Sequence, residues 1–246
     1  MIRSFIWWLL AIFNINIEVD NWHDVEKVVL ERTNNLKEET LFCVDVDNVL
    51  TFTDHPCTYP HNIKEHFDFF KEKRIEKMLD TAWGKIFMGN PQAILDNYSI
   101  SAIKNIQKLG GKVLGLTALV AGDNGEIIKK RNDNLDKIFG INTVHNVAFA
   151  RTDAGVLCDR CITTDGEKPN GKAGILKVFM DSLDFKIKTI VFIDDSERNL
   201  NDVRKSLPKS YKYIAIHYVG YKKQIPQKVV TRQQFERFWE GMLPRS

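Results

Sequence analysis

Four apolar residues, Leu41 to Val44, run directly into two aspartates, Asp45 and Asp47, within the stretch TLFCVDVDNVLTFT (Thr40 to Thr53). A short uninterrupted apolar run of this kind reads as a strand buried on both faces of a parallel sheet. Ionised carboxylates are costly to bury without partners, so their place at the end of such a strand limits the fold. Open α/β sheets bind ligands at the carboxyl ends of their strands, and there a carboxylate pair can hold a cation. The plainer reading is an acidic turn closing a strand. The rest of the chain has to decide between the two.

Two further apolar runs end in polar residues. Lys112 to Leu116 (KVLGL) stops at Thr117, and Thr189 to Ile193 (TIVFI) stops at Asp194 and Asp195. Tyr213 to His217 reads as another strand. Helical spacing covers Asp24 to Leu36, Ile100 to Leu109 (closed by Gly110 and Gly111), Glu126 to Phe139, Ala173 to Leu183, Asn199 to Leu207 and Gln233 to Met242. Two β-like runs between Val147 and Ile162 predict a hairpin around Thr152 to Gly155. Strands alternating with helices imply an α/β fold, a Rossmann-like parallel sheet with helices on both faces.

Between residues 54 and 97 the pattern changes to aromatic and charged residues, including His55, Tyr59, His61, His66 and Trp83. This segment predicts a mostly helical insertion directly behind the acidic pair, longer than an ordinary crossover and placed to act as a lid. The expected division is therefore a core of residues 18–53 and 98–246, with residues 54–97 inserted as a small cap. At 246 residues and 43% hydrophobic content the chain has enough apolar material for one core and such an insertion.

Residues 1–17 form a segment of their own. Arg3 precedes Phe5 to Phe13 (FIWWLLAIF), a run resembling a secretory signal but too short for a spanning helix. No small-residue cleavage site follows it at Asn14 to Ile17, so a packed apolar element is an equal reading. Export follows from the first reading and a cytoplasmic location from the second. No stable membrane span is expected. The formal net charge of +3 is small and the basic residues are scattered, which argues against nucleic acid as a partner. Cys43 reads as a buried hydrophobe. Cys158 and Cys161 form a lone Cys-x-x-Cys with no second pair to complete a zinc site, and the sequence leaves open whether they are bonded.

In a parallel sheet all strand carboxyl ends open on one edge, so Asp45, Asp47, Thr117, Asp194 and Asp195 are placed to converge there. Lys172 lies in the loop before the third of these runs. Carboxylates, one hydroxyl and one ammonium suit phosphoryl transfer. The carboxylates can hold Mg²⁺, and the other two groups can bind phosphoryl oxygens. The sequence also resembles the haloacid dehalogenase superfamily. VDVDNVLT is similar to its first motif, Asp-x-Asp-x-(Thr/Val), LGLT to its second, Lys172 to its third and VFIDDS to its fourth, over about Thr40 to Val219.

The resemblance implies a Mg²⁺-dependent phosphatase acting on a small phosphorylated metabolite. Asp45 would be the nucleophile that becomes an aspartyl phosphate, and Asp47 the general acid and base. Thr117 and the backbone N–H of Ala118 would bind the phosphoryl group, and Lys172 would hold Asp45 and the phosphate in register. Asp195, an Asp45 oxygen and the Asp47 carbonyl would hold the metal, with Asp194 a further ligand or an orienter. Within the superfamily the chain is similar to an uncharacterised bacterial branch that commonly shows Leu-Thr-Ala-Arg at the second motif. Here Leu119 stands in the place of that arginine. A phosphotransferase using the same intermediate and a catalytically idle binding protein are the alternatives. The retained Asp47 and Lys172 weigh against the second.

Overall fold

The computed structural model describes residues 16–34, 36, 39–73, 79–118, 126–139, 151–152, 155–157, 161–164, 171–181 and 186–243. The expectations placed on residues 1–15, Leu119, Cys158 and the Cys161 side chain lie outside the described residues.

In chain order the elements are β1 (Ile17–Val19), α1 (Trp22–Thr33), β2 (Thr40–Val44), β3 (Thr51–Thr53), a 3₁₀ turn (Pro56–Thr58), α2 (Pro60–Glu65), α3 (Asp68–Glu72), α4 (Leu79–Gly89) and β4 (Gln92–Ile94). They continue with α5 (Tyr98–Lys108), β5 (Lys112–Ala118), α6 (Glu126–Phe139), β6 (Arg151–Thr152), β7 (Gly155–Leu157), β8 (Cys161–Thr164) and α7 (Gly171–Asp181). The chain closes with β9 (Thr189–Asp194), α8 (Glu197–Ser206), β10 (Lys212–Tyr218), α9 (Tyr221–Gln224) and α10 (Arg232–Met242).

Among the described residues one sheet runs β1-β10-β9-β2-β5-β8-β7-β6. The pairs from β1 to β8 are all parallel, and the β8-β7-β6 edge is antiparallel. The strand alternation explains why helices cover both faces. Phe42 and Val44 of β2, with Val191 and Ile193 of β9, join Val25, Val29, Ile103 and Ile106 from α1 and α5 in one apolar layer. Their neighbours Leu41, Cys43, Ile190 and Phe192 point the other way, onto Leu176 and Phe179 of α7 and Leu200 and Val203 of α8. Side chains of period two on a strand leave no polar face, so both sides have to be covered. The fold is α/β, as the alternation of elements predicts.

Local chemistry sets the element ends. Asn21 caps α1 by accepting from the Asp24 N–H at 2.9 Å, and Asn34 closes it in the left-handed region at φ 49°. Gly110 (φ 95°) turns the chain out of α5 into β5, a conformation that costs glycine little. A capping box of Thr231 and Gln234 starts α10.

β1 is an element the sequence reading does not contain. It has three residues and adds to the outer edge of β10 with Ile17 opposite Ile216. Ile17 therefore belongs to the sheet, although it falls inside the segment read as signal-like or apolar.

The insertion is helical between two short strands, β3 and β4, which pair antiparallel as a ribbon at its base. Its own apolar cluster holds Cys57, Phe69, Phe70, Ala82 and Ile86 together with Val230, Phe235 and Trp239. The last two belong to α10, so the closing helix packs into the insertion. Trp239 is fully buried, stands edge-on to Phe70 at 4.9 Å, and donates its Nε1–H to the Cys57 carbonyl at 3.2 Å. Both Cys43 and Cys57 are free and buried. Among the described residues no helix is long and apolar enough to cross a membrane.

Candidate functional site

Sheet order fixes where a site can form. From β2 the chain adds β5 and β8 on one side, then returns to place β9 and β10 on the other. The carboxyl ends of β2 and β9 therefore flank the point where the order reverses, the usual binding crevice of an open α/β sheet. Val44 of β2 lies opposite Ile193 of β9, and the Asp45 N–H donates to the Ile193 carbonyl at 2.9 Å. Asp45 and Asp194 thus leave neighbouring strands at the same level. On the other side Val44 lies opposite Gly115, which sets Thr117 two residues further along β5.

Lys172 enters from the first turn of α7, after Gly171 at φ 42°. Its Nζ lies 2.7 Å from Asp45 Oδ1 and 2.8 Å from Asp194 Oδ2. The three side chains are 5%, 7% and 0% exposed for Lys172, Asp45 and Asp194, so the ion pairs are effectively out of water. Burial alone would push the Lys172 ammonium down, but the adjoining Asp194 and Asp45 hold it above the ordinary lysine range. Burial keeps the Asp45 carboxyl well above the usual carboxylate range, with Lys172 opposing the shift and the charges of Asp194 and Asp195 adding to it. Burial and the adjacent Asp194 push Asp195 up to about 6.

The other contacts of each carboxylate divide the roles they can take. Both oxygens of Asp194 are engaged: Oδ1 accepts from the Ser196 N–H at 2.8 Å, the Asn199 amide reaches both oxygens at 3.0 and 3.2 Å, and Oδ2 takes Lys172. Asp45 Oδ1 is committed to Lys172 and to the Val46 N–H at 2.8 Å. Asp195 Oδ2 accepts from the Asn48 amide at 3.0 Å. Thr117 donates its hydroxyl to Asp47 Oδ2 at 3.4 Å, a long contact. The loop after β2 thus touches all three other segments, through Asp45 to Lys172, Asp47 to Thr117 and Asn48 to Asp195. Ala118 ends β5 opposite Thr164, one residue beyond Thr117.

One oxygen from each of Asp45, Asp194 and Asp195 can lie within 4.8 Å of the others. Among the described residues these three carboxylates meet one ammonium, Lys172, an excess of two negative charges when all are ionised, and Asp47 stands beside them against Thr117. An all-oxygen donor set with excess negative charge fits a hard divalent cation such as Mg²⁺.

The sequence reading did not single out Asn48, Asn199 or His217. Asn48 follows the acidic pair in the left-handed region at φ 62°, and an asparagine at such a turn is a legible signal. Its partner lies 147 residues away and is not legible. His217 donates Nε2–H to the Asp195 backbone carbonyl at 3.2 Å, while Glu18 and Glu197 each lie 3.5 Å from its Nδ1.

A search of curated proteins finds no match to this chain. Residues 18–242 match the family described as Protein of unknown function (DUF2608), and the chain belongs to that family.

Proposed function

We propose that the protein is a Mg²⁺-dependent phosphatase of the haloacid dehalogenase type, hydrolysing a small phosphate monoester through an aspartyl phosphate on Asp45. The observation that carries this reading is the single loop, residues 45–48, whose acidic and amide side chains meet Lys172, Thr117 and Asp195 at one sheet edge. A purely structural acidic turn has no need of a buried ammonium bridging two carboxylates, because burying such a cluster costs several kcal/mol per ion before pairing.

Asp45 Oδ1 is held by Lys172 and the Val46 N–H, which leaves Oδ2 as the attacking atom. Oδ2 forms a bond to phosphorus while the ester P–O bond breaks, and Asp47 gives its proton to the leaving oxygen. Asp47 then takes a proton from water, the water oxygen attacks the aspartyl phosphate, and the Asp45–phosphorus bond breaks to release inorganic phosphate. The Thr117 hydroxyl keeps Asp47 in place before the substrate arrives, and it binds a phosphoryl oxygen together with the Ala118 N–H. Lys172 neutralises Asp45 in the ground state and the phosphoryl charge in the transition state. Asp195, Asp45 and the Asp47 carbonyl would hold Mg²⁺, and Asp194, whose oxygens are already engaged, orients Lys172 and the turn. The cation, when bound, neutralises phosphate charge so that an anionic nucleophile can approach. The insertion starts at Asp54, just beyond the loop, and with α10 it would cover the leaving group.

The test is hydrolysis of p-nitrophenyl phosphate and a panel of phosphate esters, with Mg²⁺ and with chelator, by wild type and Asp45→Asn. Release of phosphate that needs both Mg²⁺ and Asp45 supports the reading. Activity that persists without Mg²⁺ and in Asp45→Asn rejects it.

A further inference from the structure

Asn48 occupies a backbone position that does not call for a side chain. At φ 62° glycine is free of strain and asparagine is tolerated, while most residues are not. The turn is held without the side chain: the Asn48 N–H donates to the Thr51 carbonyl at 2.8 Å, and the Leu50 and Thr51 N–H groups donate to the Val46 carbonyl at 3.0 and 2.9 Å. The amide instead spans two chain segments and donates to Asp195 Oδ2 at 3.0 Å.

Asp195 is also fixed at its other end. Its backbone carbonyl accepts from His217 Nε2–H at 3.2 Å, and His217 is held on β10, whose register puts it opposite Asp194. With the peptide pinned, the freedom left to Asp195 is its side-chain torsions, and the Asn48 amide fixes those. Asp195 Oδ1 has no hydrogen-bond partner among the described residues. One oxygen is therefore tied back by Asn48, and the second is left for a ligand.

Resting on the function proposed above, we infer that Asn48 is a positioning residue for the cation: its amide orients the Asp195 carboxylate so that Oδ1 faces the shared space with Asp45. A residue that orients a metal-binding carboxylate in this way typically contributes ten- to a hundred-fold in metal affinity. The mechanism proposed above gives Asn48 no part in binding the phosphoryl group or the leaving oxygen, so its effect falls on the cation and not on the chemical step.

The experiment is calorimetric titration of Mg²⁺ into wild type and Asn48→Gly, with melting of both in EDTA. Glycine keeps the left-handed turn and removes the amide alone. The expected result is a Mg²⁺ dissociation constant raised about ten- to a hundred-fold in Asn48→Gly, a metal-free melting curve close to wild type, and a kcat restored by excess Mg²⁺. Wild-type Mg²⁺ affinity in Asn48→Gly overturns the inference while leaving the phosphatase reading intact. A loss of metal-free stability with unchanged Mg²⁺ affinity overturns it as well, since Asn48 would then serve the fold alone. If wild type itself binds no Mg²⁺, both readings fall.

Discussion

Lys172→Met is the substitution whose cost follows most directly from the structure. The Lys172 ammonium sits 2.7 Å from Asp45 and 2.8 Å from Asp194, and all three side chains are nearly or fully buried. At an effective dielectric of about 20 each contact is a gross attraction of roughly 6 kcal/mol, most of which offsets the desolvation of the three ions. Methionine fills a similar volume, so little cavity cost is added. What remains is two buried carboxylates without their cation, and breaking buried pairs in this way costs about 3–5 kcal/mol. Proton uptake by Asp45, whose carboxyl burial already holds high, keeps the loss near the lower figure. Urea unfolding at neutral pH in EDTA should therefore show about 3 kcal/mol less stability than wild type. Part of the difference should return with Mg²⁺, which can neutralise the same carboxylates. A loss below about 1 kcal/mol in EDTA would refute the reasoning, because the ammonium would then not be what allows Asp45 and Asp194 to be buried.

Further predictions concern pH and the insertion. The metal-free Asp195 carboxyl stands at about 6, above its ordinary value of 3.8. A group whose pKa is raised on folding stabilises the fold while protonated and loses that contribution as pH climbs through the folded value. In EDTA the melting temperature should accordingly fall as pH rises from about 4 to about 6, and Asp195→Asn should flatten that slope; an unchanged slope would contradict the assignment. Trp239→Ala removes a fully buried ring from the α10–insertion cluster and should cost about 3–5 kcal/mol in urea unfolding; a cost under about 1 kcal/mol would contradict the packing. Removing α10 should make the insertion the first region cut in limited proteolysis, since its apolar side chains lose their partner. Resistance equal to full-length protein would show that the insertion is stable without the helix.

Much of the core was legible because strand and helix periods are local. The runs at Leu41–Val44, Lys112–Leu116 and Thr189–Ile193 carry their own signal, and α6 has the bounds its spacing predicts, Glu126–Phe139. Parallel strands share an edge, so the sequence could place Asp45, Thr117 and Asp194 at one side of the sheet without coordinates. Other features depend on contacts far apart in the chain. β1 has only three residues and is a strand because β10 offers it an edge. The pattern of α10 shows that one face is buried, but not that the insertion covers it. Asn48 carries a local turn signal that the sequence reading passed over, and its amide gains a second use only when β9 brings Asp195 beside it.

Covalent capture of phosphate tests the central claim most directly. Wild-type protein mixed with a phosphate ester it hydrolyses and Mg²⁺, quenched in acid and digested, should yield a phosphoryl adduct on the peptide containing Asp45, absent in Asp45→Asn and without Mg²⁺. Turnover with no such adduct, or an adduct on another residue, would contradict the account.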